Sequence, residues 1–410
     1  MKLDKVFTYL QNISWGRVEL TTPEHEVHSF GNNNEGPEVG VVIRDPSFLR
    51  RLIPSPSIAV GESYVAGQWD ITKGRLVDLF GIIWAHPDNR PDPGWLRWAR
   101  SMLFRKLFQS NSPAAAKKAG RHHYDRGDEI FSLFLDPTLT YSCGYSLSAS
   151  DSLAEMQQHK YELICQKLGL SKNRSIIDLG CGWGGLLLYV ARNFEGVDAV
   201  GVTVSQNQFN HVSKQITAHG FDRSIKVKLQ DYRAAAGDQY DFLASVGMFE
   251  HLGRADYSTF MRTASHLLKP GGRGLLHTMG TMDDINEPSD PWISRYIFPR
   301  HRLPRLEEIL SEMRRHRLYV GHVENLKPHY AETFRHWAAN LRANRLAVSK
   351  SVADEEFYRM WDYYLNLCEA GFRYGAMELY QILFSNRRWA FPSRFQFGLR
   401  CGQTDPNVSG

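Results

Sequence analysis

Ser175-Ile-Ile-Asp-Leu-Gly-Cys-Gly-Trp-Gly-Gly185 is the stretch that decides how this chain folds. It places a strand, a glycine turn and a helix start in immediate succession. Glycines at such a junction let the backbone approach a ligand closely and aim amide N–H groups at it from the helix N-terminus. Gly180, Gly182 and Gly185 also satisfy the dinucleotide pattern G-x-G-x-x-G, so the loop alone leaves the ligand open.

Two flanking observations separate the readings. A dinucleotide site wants an acid about 20 residues onward, at the end of the second strand. Here that strand ends in Gly201-Val-Thr-Val-Ser205, without one. Asp178 lies two residues before the first glycine and makes D-x-G-x-G-x-G, which resembles the first motif of S-adenosylmethionine-dependent methyltransferases. The loop then faces the amino-acid half of that cofactor. Asp231, after Gln230 at the end of the third strand, is placed to read an adenine amino group.

Outward from the loop, β-rich and helical runs alternate, which predicts a doubly wound, mainly parallel α/β sheet. Strands are expected near Ser175–Leu179, Ala199–Val204, Ile225–Leu229, Tyr240–Val246 and Gly274–Thr278. Helices are expected at Leu186–Asn193, Gln206–His219 and Tyr257–Leu268, with a turn at Lys269-Pro-Gly-Gly272 before the fifth strand. From about Arg305 to Phe384 the pattern reads as mostly helical. Upstream, Glu38 to Arg44 alternates as a strand and Leu76 to Ala85 reads as a helix. The small, polar run from Gln109 to Arg121 is a linker composition. The expected organisation is a smaller N-terminal domain over 1–108, a linker over 109–122, a catalytic domain over 123–400 and a tail over 401–410.

In an open α/β sheet, ligands sit outside the carboxyl ends of the strands. That rule gathers Glu250 and His251 after the fourth strand and His277 in the fifth. A carboxylate and an imidazole together orient a base or hold a small anion.

The chain has 410 residues, 42% hydrophobic, 12% aromatic and 23% charged, with a net charge of +5. This excludes disordered and fibrous classes. The charge is too mild for a dedicated nucleic-acid binder and suits an anionic surface. The five cysteines form no C-x-x-C pair, which argues for a reducing compartment and against a bound metal. No secretory h-region and no apolar run of membrane-span length is found, so membrane contact is expected to be peripheral. Trp95 to Phe108 combines aromatic and basic residues as membrane-surface helices do, but its basic residues spread around the wheel, and a helix docked between domains reads equally well. Arg302, Arg305, Arg314 and Arg315 are further candidates for membrane attraction.

Tyr141-Ser-Cys-Gly-Tyr145, Ile177 to Gly185, Val200-Gly-Val-Thr-Val-Ser205, Leu229-Gln-Asp-Tyr-Arg233, Ser245-Val-Gly-Met-Phe-Glu-His251 and Leu275-Leu-His-Thr278 together resemble the cyclopropane-fatty-acyl-phospholipid synthases and, more loosely, the mycolic-acid cyclopropane synthases. Tyr296-Ile-Phe-Pro299, Pro328-His-Tyr330 and Tyr364-Leu-Asn-Leu-Cys368 extend the likeness. Gly61 to Asp70 resembles the extra lipid-binding domain of the phospholipid branch, while Lys327 to Thr333 is closer to the mycolic branch.

The resemblance implies an enzyme that adds a methylene unit from S-adenosylmethionine across the double bond of unsaturated phospholipid acyl chains. The alternatives are C-methylation giving branched chains, or a lipid-binding protein without catalysis. It further implies a bound bicarbonate as base, held by Cys143, Glu250, His277, Met279 and Tyr330, with Met279 and Cys143 contributing backbone groups. Cys368 matches a family cysteine, and its helical setting reads equally as a small buried residue. Tyr141, Ser142, Asp178, Gly180, Gly182, Thr203, Val204, Gln208, Gln230 and Asp231 would surround the cofactor. The implied setting is cytoplasmic, peripheral to the inner face of the membrane, and it admits a homodimer.

Overall fold

Strand β5 (Ser175–Leu179) is buried along its last four residues, as a central strand covered on both faces must be. Around it, β6 (Asp198–Thr203), β7 (Ile225–Leu229), β8 (Tyr240–Val246), β9 (Leu268–Thr281), β10 (Tyr319–Asn325) and β11 (Met377–Ser385) complete a seven-stranded sheet in the order β10-β11-β9-β8-β5-β6-β7. The β9-β8, β8-β5, β5-β6 and β6-β7 pairs are parallel, and β10-β11 is antiparallel. The protein is described here from a computed structural model covering residues 3–31, 35–51, 56–85, 128–235, 237–282, 290–298, 302–346, 355–388 and 390–391. The expected helix 95–108, the linker 109–122 and the tail 401–410 lie outside the described residues.

Period-2 alternation places the two cores. Ile177, Leu179, Leu243, Leu276, Ile382 and Phe384 point into one cluster with the helices Tyr257–Leu267 and Leu306–Arg315. Ile176, Phe242, Ala244, Leu275 and Leu383 point into the other, with Leu153–Leu168, Gly185–Asn193 and Gln206–Ala218. From β5 the chain runs outward through β6 to β7, then returns to the opposite side of β5 as β8. The resulting switch point opens a crevice at the carboxyl ends of β5 and β8.

One sequence expectation is incomplete and another needs correction. The span Arg305–Phe384 is mostly helical, as expected, but it also contains β10 and β11. Met377-Glu-Leu-Tyr-Gln-Ile-Leu-Phe-Ser385 is an almost continuous buried run, and a short apolar run does not by its periodicity distinguish a strand from a buried helix. The Lys269-Pro-Gly-Gly272 segment does not precede the fifth strand as a turn but lies within β9, where the pairing with β8 shifts register between Tyr240 and Phe242.

By contacts the chain forms two compact units. The first is built from Met1–Gln109, Thr281–Leu303 and Phe334–Met377, the second from Ser110–Gly280, Pro304–Thr333 and Glu378–Gly410. The first unit has a four-stranded sheet, β2-β1-β3-β4, from Arg17–Thr21 (β1), Val27–Gly31 (β2), Glu38–Ile43 (β3) and Trp69–Lys73 (β4). The helices Pro56–Val65, Leu76–Ala85 and Glu355–Arg373 pack together in the same unit. Arg359 joins them, donating to Tyr64 O at 2.6 Å, Trp69 O at 3.1 Å and Asp70 Oδ2 at 3.1 Å. Among the described residues, no helix is long and apolar enough to cross a membrane.

Candidate active site

The glycine loop is spliced onto β6 by Gly180 N–H and Cys181 N–H, which donate to Val202 O at 2.9 and 3.0 Å. Gly180, Gly182 and Gly184 take φ of +88°, +53° and +84°, a region that side chains disfavour. A Cβ at Gly180 would lie 2.8 Å from Met248, whereas one at Gly182 would meet nothing within 4 Å. The loop is therefore packed on one side and open on the other, where the helix Gly185–Asn193 begins.

Asp178, just before the loop, is buried, and its Oδ1 has no hydrogen-bond partner among the described residues. Burial pushes its carboxyl up to about 7, with the charge of Lys160 pulling the other way. An orphaned carboxylate oxygen beside an open glycine face fits a ligand that brings its own donor, such as an α-ammonium group.

Thr203 ends β6 and donates through Oγ1 to Gln208 Oε1 at 2.7 Å, while its carbonyl accepts from Gln230 N–H at 2.9 Å. Thr203 and Gln208 are buried, and Val204 and Gln230 are partly exposed. Asp231 caps the short turn that follows and chelates Arg233 at 2.8 and 2.7 Å.

Across the switch point, Val246 at the end of β8 stands opposite His277 of β9, and Gly247 N–H donates to His277 O at 2.9 Å. Glu250 follows in a one-turn helix and is buried. Burial raises its carboxyl to about 7, opposed by hydrogen bonds from its own N–H, from Thr278 Oγ1 at 3.1 Å and from Met279 N–H. His277 is buried, with Nδ1 3.1 Å from Gln381 Nε2 and Nε2 without a partner among the described residues. Burial, helped by the charges of Lys160 and Lys167, holds the imidazole well below its usual range, so it is neutral. His251 is partly exposed, on the same turn as Glu250.

Ser142 and Cys143 are buried beneath this pair. A Cβ at Gly247 would lie 3.6 Å from Ser142 Cβ and 3.9 Å from Glu250 Oε1. Lys160, only 1% exposed, donates to Ser142 Oγ at 2.9 Å, and Gln157 donates to Ser142 O at 2.9 Å. Burial lowers the Lys160 ammonium to about 8, against the charges of Asp136, Cys143 and Asp178. The helix Lys327–Ala343 is pinned to the same turn: Gly144 N–H donates to Thr333 Oγ1 at 3.0 Å and Ser146 N–H to His329 Nδ1 at 3.1 Å. Tyr330 lies between those two contacts in sequence and is buried. Tyr141 packs its ring on Phe131 and Phe134.

All the sequence-predicted site residues except Cys368 belong to the second unit. Cys368 lies in the first, buried in the helix Glu355–Arg373, where burial pushes its thiol far up. Sequence reasoning missed Gln157, Lys160, Lys167 and Gln381. Leu153, Lys160 and Lys167 recur every seven residues on the buried stripe of one helix, and a charge on an apolar stripe is the signal that could have found the two lysines.

A family model described as mycolic acid cyclopropane synthetase matches residues 111–382. The chain is 36% identical over 382 residues to the cyclopropane-fatty-acyl-phospholipid synthase of Escherichia coli (strain K12), covering 90% of this chain and 95% of that protein. It is 31% identical over 352 residues to a tuberculostearic acid methyltransferase of Mycobacterium tuberculosis, covering 82% and 81%. The solved mycolic acid cyclopropane synthase CmaA1, complexed with SAH and CTAB, is similar with a TM-score of 0.61 at 34% identity, over 65% of this chain and 97% of that one. The matched region takes in the glycine loop and both strand ends that carry Glu250 and His277, and on that ground the chain belongs to the mycolic acid cyclopropane synthetase family and is an S-adenosylmethionine-dependent methyltransferase.

Proposed function

We propose that this enzyme transfers a methylene unit from S-adenosylmethionine to the double bond of unsaturated acyl chains in membrane phospholipids, closing a cyclopropane ring with a bound bicarbonate as base. The observation that carries this reading is the pair at the switch point: a buried Glu250 carboxyl and a buried His277 with an unpartnered Nε2. Such a pair suits a small oxyanion that keeps one hydroxyl. Glu250 accepts from that hydroxyl and His277 donates to an oxygen.

When bound, S-adenosylmethionine supplies an electrophilic methyl group and bicarbonate a base for the proton lost on ring closure. The chain's own groups do the rest. Asp178, the Gly180 carbonyl and the Gly182 amide hold the amino-acid half of the cofactor. Tyr141, Ser142, Thr203, Val204, Gln208, Gln230 and Asp231 surround the remainder. Backbone groups of Cys143 and Met279 and the Tyr330 hydroxyl complete the anion site. An alkene is a weak nucleophile and the carbocation it becomes reacts with water, so the site must stay dry while the ring closes. Aromatic faces such as Tyr330 offer that cation electrostatic support.

Alignment with the phospholipid synthase covers 90% of the chain and so extends into the first 108 residues, against 65% for the mycolic-acid structure. We therefore read the 1–108 segment as a lipid-contacting domain and the substrate as phospholipid, met peripherally at the cytoplasmic membrane face. A second reading, C-methylation to a branched chain, is favoured by the likeness to the tuberculostearic acid methyltransferase. Incubation with S-adenosylmethionine and monounsaturated phospholipid vesicles, followed by analysis of fatty acid methyl esters, separates the two. Ring products support the first; methyl- or methylene-branched products overturn it.

A further inference from the structure

His277 is tied at one ring nitrogen and open at the other. Nδ1 lies 3.1 Å from Gln381 Nε2, and Nε2 has no partner among the described residues. Lys167 decides which way the Gln381 amide stands. Its Nζ lies 2.6 Å from Gln381 Oε1, and since an ammonium only donates, that atom is the carbonyl oxygen. The opposite end of the amide is then the NH₂ group, which donates to His277 Nδ1. A neutral imidazole that accepts at Nδ1 carries its proton on Nε2. Lys167 is held in turn by the Glu324 carboxylate, and its own side chain is fully buried. The chain of partners therefore runs Glu324, Lys167, Gln381, His277, and ends in an N–H with no acceptor among the described residues.

We propose, on the reading of Glu250 and His277 as an oxyanion site, that Lys167 and Gln381 are positioning residues that lock His277 in the Nε2–H tautomer and so make it a permanent donor to the bound anion. The device suits the chemistry. An anion that must accept a proton keeps more of its basicity beside a neutral N–H than beside an imidazolium, which would be competing to give up its own proton. The tautomer also excludes the opposite arrangement, in which a bare Nε2 lone pair would face the anion's oxygen.

The test is ¹⁵N-histidine labelling of the full chain, with long-range ¹H–¹⁵N spectra and the His277→Ala variant to assign the ring. The expected result is a protonated Nε2 and an unprotonated Nδ1 in the wild type. Gln381→Glu sets a carboxylate against Nδ1 and is expected to move the proton there. The bicarbonate concentration for half-maximal activity is then expected to rise at least about tenfold, while S-adenosylhomocysteine binding measured by calorimetry stays unchanged. Lys167→Arg retains a donor to Oε1 and is expected to preserve the wild-type tautomer. A wild-type ring protonated at Nδ1, or a tautomer unmoved in Gln381→Glu, overturns the positioning role. Should Gln381→Glu not fold, the wild-type spectrum alone decides. If the tautomer behaves as stated but the wild-type enzyme is indifferent to bicarbonate, the oxyanion reading fails and the positioning role stands.

Discussion

Thr278 Oγ1 donates to Glu250 Oε2 at 3.1 Å, tying the end of β9 to the helical turn that follows β8. The bond crosses the boundary between two neighbouring strand ends, so the carboxyl is aimed by a residue that follows His277 directly in the chain.

On the proposed role of the Glu250 carboxylate in holding the anion, activity is expected to rise with pH through about 7, the value to which burial raises this carboxyl. Thr278→Val removes one hydrogen bond that favours the charged form and moves this acid limb to higher pH. Glu250→Gln and His277→Ala are each expected to cost about 10²–10⁴-fold in kcat, with cofactor binding nearly intact. Parallel loss of cofactor binding by calorimetry would mean that these residues hold the fold instead.

The same shift has a stability consequence of definite sign. A carboxyl whose folded pKa is raised disfavours the folded state once ionised, so this contribution is lost as pH rises from about 4.5 to about 7. Denaturant titrations are expected to show Glu250→Gln gaining on the wild type across that window and holding the gain above it.

On the proposed cofactor site, Asp178→Asn removes the carboxylate offered to the ammonium group. Hydrogen bonds to charged groups are worth roughly 1.5–3 kcal/mol, so S-adenosylhomocysteine is expected to bind about ten- to a hundredfold more weakly. Unchanged binding in calorimetry would assign Asp178 to Lys160 alone.

Gly180 and Gly182 of the loop are expected to respond differently to alanine. At Gly180 the new methyl meets Met248 at 2.8 Å and the backbone has φ +88°, so the protein loses stability outright. At Gly182 the methyl has open space, so stability falls by only about 1–2 kcal/mol for the left-handed backbone, while cofactor binding falls sharply. Thermal melts paired with calorimetry compare the two losses.

Cys368→Ala is expected to retain activity and to lose about 1–2 kcal/mol of stability from the small cavity. The thiol is buried and held protonated by that burial, which leaves no reactive thiolate. Loss of turnover in a folded variant would restore a catalytic role.

Much of the sheet is legible in the sequence alone. Ser175–Leu179, Ile225–Leu229 and Tyr240–Val246 agree with the expected strands residue for residue, because each is a compact run bounded by turn signals. β10 and β11 were not legible. Tyr319–Asn325 carries polar residues on a half-exposed strand, and Met377–Ser385 follows a long helix without a strong break. Two of the arginines read as membrane contacts are also engaged locally: Arg305 pairs with Glu307 at 2.9 Å and Arg315 with Glu312 at 2.7 Å.

By itself the sequence determined the glycine loop and the residues that stand at strand ends, because strand, turn and helix N-terminus are local chemistry written within a dozen residues. Tertiary structure alone decided who satisfies whom. Gln381 is 104 residues from His277 and 214 from Lys167, and nothing in its apolar surroundings marks it. A buried polar group must find its partner wherever the fold brings one, and sequence spacing carries no record of that distance. The same holds for the compact units: Thr281–Leu303 and Phe334–Met377 join the N-terminal residues through long-range packing that no linker composition announces.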